Sequence, residues 1–159
     1  MNWKEAFLKQ AKDDFEVFYE FYKLEKPACR QLHYLQMATE KLAKAYRSSI
    51  YAAPPKTSHK AFSQFLQSIK ALPDFQRKLG YQNKNSTYYA YIDSLLPIAQ
   101  HIEDLAPEGK KLNKPNPEYP WRQGKLIKAP IEYNFPEVYE QQIQFNKLIE
   151  LINKLLTIL

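Results

Sequence analysis

Arg47, Lys56, His59, Lys60, Arg122 and Lys125 are the side chains of this sequence best suited to hold a phosphate. Lys56, His59 and Lys60 fall within the run PPKTSHK, and Arg122 and Lys125 share the run WRQGK. Arginine offers a phosphate two parallel N–H groups, lysine a compact charge, and histidine a donor that switches near neutral pH. His59 follows a helix entry, where the positive end of the helix disfavours protonation, so a structural place beside the cap is the plain alternative.

Other reactive groupings are thin. Cys29 and His33 are four residues apart on one helix flank, with Gln36 and Glu40 beside them. A thiol nucleophile also needs an orienting third group and an oxyanion site. Neither is legible here, so Cys29 reads as a small buried hydrophobe and His33 as a semi-buried, satisfied histidine. His101 with Asp104 is too common a pair to argue zinc, and the sequence has no HExxH and no CxxC. Three glycines, with no GxGxxG and no GxxxxGK[ST], leave no phosphate-cradling loop. No catalytic residue, metal or cofactor is expected.

Helices must position these groups. In ACRQLHYLQMATEKLAKAY, from Ala28 to Tyr46, Ala28, Leu32, Leu35, Thr39, Leu42 and Tyr46 follow helical spacing and share one face. Arg30, Glu40, Lys41, Lys44 and Arg47 lie opposite, on an expected solvated face, and Ala38, Ala43 and Ala45 admit a close neighbour. A first helix over residues 2–24 sets Trp3, Phe7, Ala11, Phe15, Phe18 and Tyr22 towards the core. A short break at Lys26 and Pro27 makes these two antiparallel neighbours. A third helix enters at Thr57 or Ser58 and buries Ala61, Phe62, Phe65, Leu66 and Ile69. A short helical piece from Pro73 ends at a left-handed Gly80, and a fourth helix over 87–105 meets a kink or split at Pro97. Residues 106–135, rich in proline and without periodicity, read as a long loop pinned by Tyr119, Trp121, Ile127, Ile131 and Tyr133. The last helix follows Asn134, with Glu137 completing a capping box. No strand pattern competes.

The 159 residues suit one domain, which can bury about 70% of its unfolded surface. A single cysteine excludes a disulfide framework and fits a reducing compartment, with the cytoplasm as default. No apolar run is long enough for a membrane span, and the amphipathic start MNWKEAFLKQ is no signal peptide. The net charge of +6 is uneven. Residues 44–84 carry eight basic side chains against Asp74 alone, a net +7, and residues 85–109 carry four acidic ones, a net −4. Residues 110–135 add six basic against two acidic side chains. Such blocks suit a polyanion partner; a solvated surface, or the two blocks pairing across a homodimer, are the alternatives.

The run LHYLQMATEKLAKAY followed by PPKTSHKAFSQFL resembles the second and third helices of a HEPN domain. Members carry a helix of the form A…Q.A.EK.LKA and then a Pro-Lys-Thr-His-like entry to a Leu-rich helix. The preceding helix, with Phe7, Ala11, Asp14 and Phe18, is compatible with the family's first, and the resemblance covers about residues 3–66. It implies an all-α fold, an antiparallel up-and-down bundle of about five helices filling residues 1–159 as one domain, and a homodimer. Ribonucleases of the family use an Arg-x(4–6)-His motif near the last helices. Here two residues separate Arg30 from His33, eleven separate Arg47 from His59, and Ile127, Lys128 and Ala129 stand where a histidine would follow Arg122. The reading is a non-catalytic module for RNA or nucleotide phosphates. The alternatives are a protein-interaction subunit partnering a small nucleotidyltransferase, in the manner of toxin–antitoxin pairs, or a divergent metal-independent ribonuclease.

Overall fold

The computed structural model describes residues 1–51, 61–107 and 113–159. The aromatic N-terminal stripe forms α1 (Trp3–Lys23), which Asn2 starts with a capping box that the sequence reading passed over. The Asn2 side chain accepts from the Glu5 N–H at 2.9 Å, and the Glu5 carboxylate accepts from the Asn2 N–H at 3.0 Å. Ala11, Phe15 and Phe18 are buried as their spacing predicts. Trp3 is not: it is 51% exposed at the first turn, stacked on Phe7.

The second helix, α2 (Ala28–Tyr51), runs past the expected end near Arg47. Leu32, Leu35, Leu42 and the three alanines are fully buried, and Thr39 nearly so. The pairs Phe21–Tyr34, with ring centroids 5.5 Å apart, and Asp14–Lys41, at 2.5 Å, match descending against ascending numbers, so α1 and α2 lie antiparallel. The supposedly solvated face of α2 is half-buried at Lys41 and Lys44. Lys41 reaches across to Asp14, while Lys44 pairs with Glu40 and lies 6.0 Å from the Phe7 ring centroid. Their long apolar stems cover the helix while the charges find partners.

The expected caps Thr57 and Ser58 fall outside the described residues. From α3 (Ala61–Lys70) onward, Ala61, Phe62, Phe65, Leu66 and Ile69 face the core as predicted. The short α4 (Pro73–Lys78) closes with N–H bonds from Tyr81 to the Gln76 carbonyl and from Gly80 to the Arg77 carbonyl. That pattern is a Schellman cap and needs the positive φ of Gly80, +86°. Next, α5 (Asn85–Asp104) continues through Pro97 without a split. It lies antiparallel to α3: Lys70 meets Asp93 at 2.7 Å, and Glu103 accepts from the N–H groups of Phe62 and Ser63 at 2.5 and 2.9 Å.

The segment before the last helix departs most from expectation. It holds a hairpin, β1 (Trp121–Gln123) paired antiparallel with β2 (Leu126–Lys128), Arg122 opposite Ile127. The two-residue turn Gly124–Lys125 has positive φ at its first position only, +63° at Gly124, as a type II′ turn requires. Three-residue strands carry too little alternation for a period to show. Trp121 anchors the hairpin, 5.1 Å from the Tyr133 ring centroid and 6.3 Å from that of Phe135. Asn116, buried, turns the chain just before by accepting from the N–H groups of Glu118 and Tyr119 at 3.1 and 2.7 Å.

The last helix comes in two pieces, α6 (Pro136–Tyr139) and α7 (Gln142–Ile158). The expected Asn134–Glu137 capping box is absent. Phe135 is the N-cap, fully buried and left-handed at φ +48°, with Pro136 at the first helical position. Glu137 instead accepts from the Tyr133 hydroxyl at 2.9 Å. Packing of the Phe135 ring against Trp121 and Tyr133 holds a backbone conformation costing about 1–3 kcal/mol. The described residues thus form a mostly helical, all-α protein of seven α-helices with one small two-stranded sheet. Among them no helix is long and apolar enough to cross a membrane.

Candidate phosphate-binding surface

Arg47 projects from α2 and donates to the side-chain carbonyl of Gln64 on α3. Lys56, His59 and Lys60 lie outside the described residues. Arg122 and Lys125 stand together on the exposed β1–β2 hairpin. The segment leading into the hairpin crosses α2 near its start, where Glu118 lies 3.5 Å from His33. Fourteen residues of helix, about 21 Å at 1.5 Å each, separate His33 from Arg47. Among the described residues, Arg47 and the approach to the hairpin therefore lie well apart along α2.

Ion pairing engages other cations of the chain. In the basic block of residues 44–84, Lys44 pairs with Glu40 and Lys70 with Asp93. Asp74 takes both Arg77 and Lys78, at 2.5 and 2.9 Å, and the hydrogen bond from Lys78 leads in holding its carboxyl below the usual range. The acidic block is likewise engaged within the chain, through Asp93 and through Glu103, whose carboxylate also accepts from the Ser63 hydroxyl at 2.7 Å. Those side chains already have partners, so complementary blocks meeting across a two-fold axis lose much of their charge. By contrast, Arg122, Lys125 and the half-buried Lys128 make no ion pair among the described residues. Residues 122–127 are exposed without interruption. The hairpin is a cationic element whose charge remains available among the described residues.

Beside it opens a cleft of about 480 Å³, lined by Cys29, Arg30, His33, Tyr34, Glu118 and Tyr119 among others. At 3.5 Å from the Glu118 carboxylate, His33 Nδ1 is beyond good hydrogen-bond length and has no hydrogen-bond partner among the described residues, so the expectation of a satisfied histidine is corrected. The sequence gives no sign of Glu118, which is 85 positions away (118 − 33) and comes close only because Asn116 turns the chain. Cys29 is 5% exposed and burial pushes its thiol up, so it stays protonated at neutral pH and is a poor nucleophile. Among the described residues no cluster of three or more His, Cys, Asp or Glu side chains forms a metal site.

The arrangement is able to hold an anion, through Arg122 and Lys125 on the hairpin with Arg30 near its root. Arg47 stands apart on the far reach of α2. No protein-family model matches this chain, and neither do any curated proteins or solved structures.

Proposed function

We propose that the chain is a HEPN-like, non-catalytic module that binds RNA or nucleotide phosphates through the β1–β2 hairpin. One observation carries the reading: Arg122 and Lys125 share an exposed hairpin without a carboxylate partner among the described residues, while four cations of the 44–84 block are paired within the chain. Cations already neutralised by carboxylates release few counterions from a polyanion, whereas unpaired ones release about one each. An antiparallel up-and-down bundle accompanies this reading, supported by the opposed directions of α1 and α2 and of α3 and α5. Absence of cleavage is expected from the spacing after Arg122, where no histidine follows at the Arg-x(4–6)-His distance to act as base.

Fluorescence anisotropy with a labelled single-stranded RNA tests the proposal. Binding should weaken steeply with salt, Arg122→Ala/Lys125→Ala should weaken it further, and the RNA should stay intact. Failure to bind at low salt would sink the proposal. Cleavage that survives purification and disappears in Arg122→Ala would overturn its non-catalytic part.

A further inference from the structure

Between α1 and α7 lies a second groove, of about 520 Å³, whose apolar floor includes Phe15, Tyr19 and Ile149. Glu16 and Glu20 from α1 and Glu150 from α7 stand on its edges, all exposed and none in an ion pair among the described residues. One cation, Lys23, belongs to the groove and lies over the Tyr19 ring, 4.4 Å from its centroid. Three carboxylates against one ammonium leave the groove acidic, and the Lys23 contact shows that its aromatic wall attracts cations.

The β1–β2 hairpin has the opposite character. Its tip presents Arg122 and Lys125, with Leu126 63% and Ile127 64% exposed. Phosphate binding explains the cations but gives no role to two bare aliphatic side chains. A two-stranded hairpin is marginal alone, and apolar side chains at its tip gain free energy when something covers them.

We infer that the hairpin tip of one copy docks in the α1–α7 groove of a second copy, so that the chain associates head to tail. Lys125 meets the carboxylates of Glu16 and Glu20, and Leu126 meets the aromatic floor. The contact is heterologous: each copy offers one hairpin and one groove, so association closes into a ring or continues. A groove this small supports a weak interface that is sensitive to salt. RNA on Arg122 and Lys125 competes with it.

Sedimentation over about a hundredfold range of concentration in low salt, without nucleic acid, tests the inference. The mean mass should rise with concentration and fall back when salt is added. Glu16→Lys/Glu20→Lys, which removes the groove, and Arg122→Glu/Lys125→Glu, which removes the hairpin, should each stay monomeric. Both change exposed positions, and circular dichroism checks that each variant folds. Mixing the two variants should restore association, because the intact hairpin of the first fits the intact groove of the second. A wild type that stays monomeric throughout, variants that associate like the wild type, or a mixture that stays monomeric would each overturn the inference. RNA binding separates this from the phosphate proposal: Arg122→Glu/Lys125→Glu should lose RNA binding while Glu16→Lys/Glu20→Lys keeps it, and a monomeric wild type that still binds RNA would sink this inference alone.

Discussion

Glu103, 6% exposed near the end of α5, does for α3 what a capping residue normally does from inside its own helix. Its carboxylate takes two backbone N–H groups from the first turn of α3 and the Ser63 hydroxyl, where negative charge also suits the helix dipole. Glu103→Ala strands these donors in a buried place and should lower stability by about 2–3 kcal/mol, read as a shift in the denaturant midpoint. Glu103→Gln keeps an acceptor and should lose less. Equal, negligible losses would mean that α3 is held by its apolar face alone. Tyr88 is buried, and Tyr91 and Tyr133 are half-buried. Burial is the leading cause that pushes Tyr88, Tyr91 and Tyr133 up to about 12, and Tyr88 donates its hydroxyl to the Ile69 carbonyl at 2.9 Å. In the unfolded chain a tyrosine ionises near 10. Above that pH the unfolded state releases protons that the folded state keeps, so the contribution is complete below about 10 and is lost as pH rises through about 12. Denaturant midpoints should therefore hold steady to about pH 9 and fall beyond 10, and Tyr88→Phe should shrink that fall. A midpoint unchanged up to pH 12 would contradict this.

At the scale of elements, α2 was the most legible part and the hairpin the least. Six turns of helix repeat the same apolar face, and Leu35 and Leu42, chosen from spacing alone, are fully buried. Leu35→Ala or Leu42→Ala should cost about 2–5 kcal/mol through lost burial and the cavity left behind. Thermal denaturation showing under about 0.5 kcal/mol for both would contradict this orientation of α2. The hairpin has only three residues per strand, so its sign lay in the turn, where Gly124 precedes Lys125 between short apolar stretches. Composition emphasised the prolines of residues 106–135 and hid it. The failed capping box at Asn134 has a similar cause. Local pattern placed the cap, but tertiary packing of Phe135 against Trp121 moved the helix start one residue on. Among the candidate site residues, Arg122 and Lys125 are neighbours already in the run WRQGK, while Glu118 needs the fold to carry it to His33.

For the whole molecule, the charge that counts towards a polyanion is what the chain's own carboxylates leave unpaired. The basic block of residues 44–84 has the greater sum, yet Glu40, Asp74 and Asp93 engage four of its cations, Lys44, Lys70, Arg77 and Lys78. The hairpin has fewer charges and keeps them available. The most direct test is the slope of log affinity for single-stranded RNA against log salt, compared between wild type and Arg122→Ala/Lys125→Ala/Lys128→Ala. If each side chain meets one phosphate, the slope should flatten by about two to three units, and Lys70→Ala, whose charge is already paired, should leave it nearly unchanged. A wild-type slope preserved in the triple variant, or lost in Lys70→Ala instead, would contradict the hairpin as the phosphate-binding element.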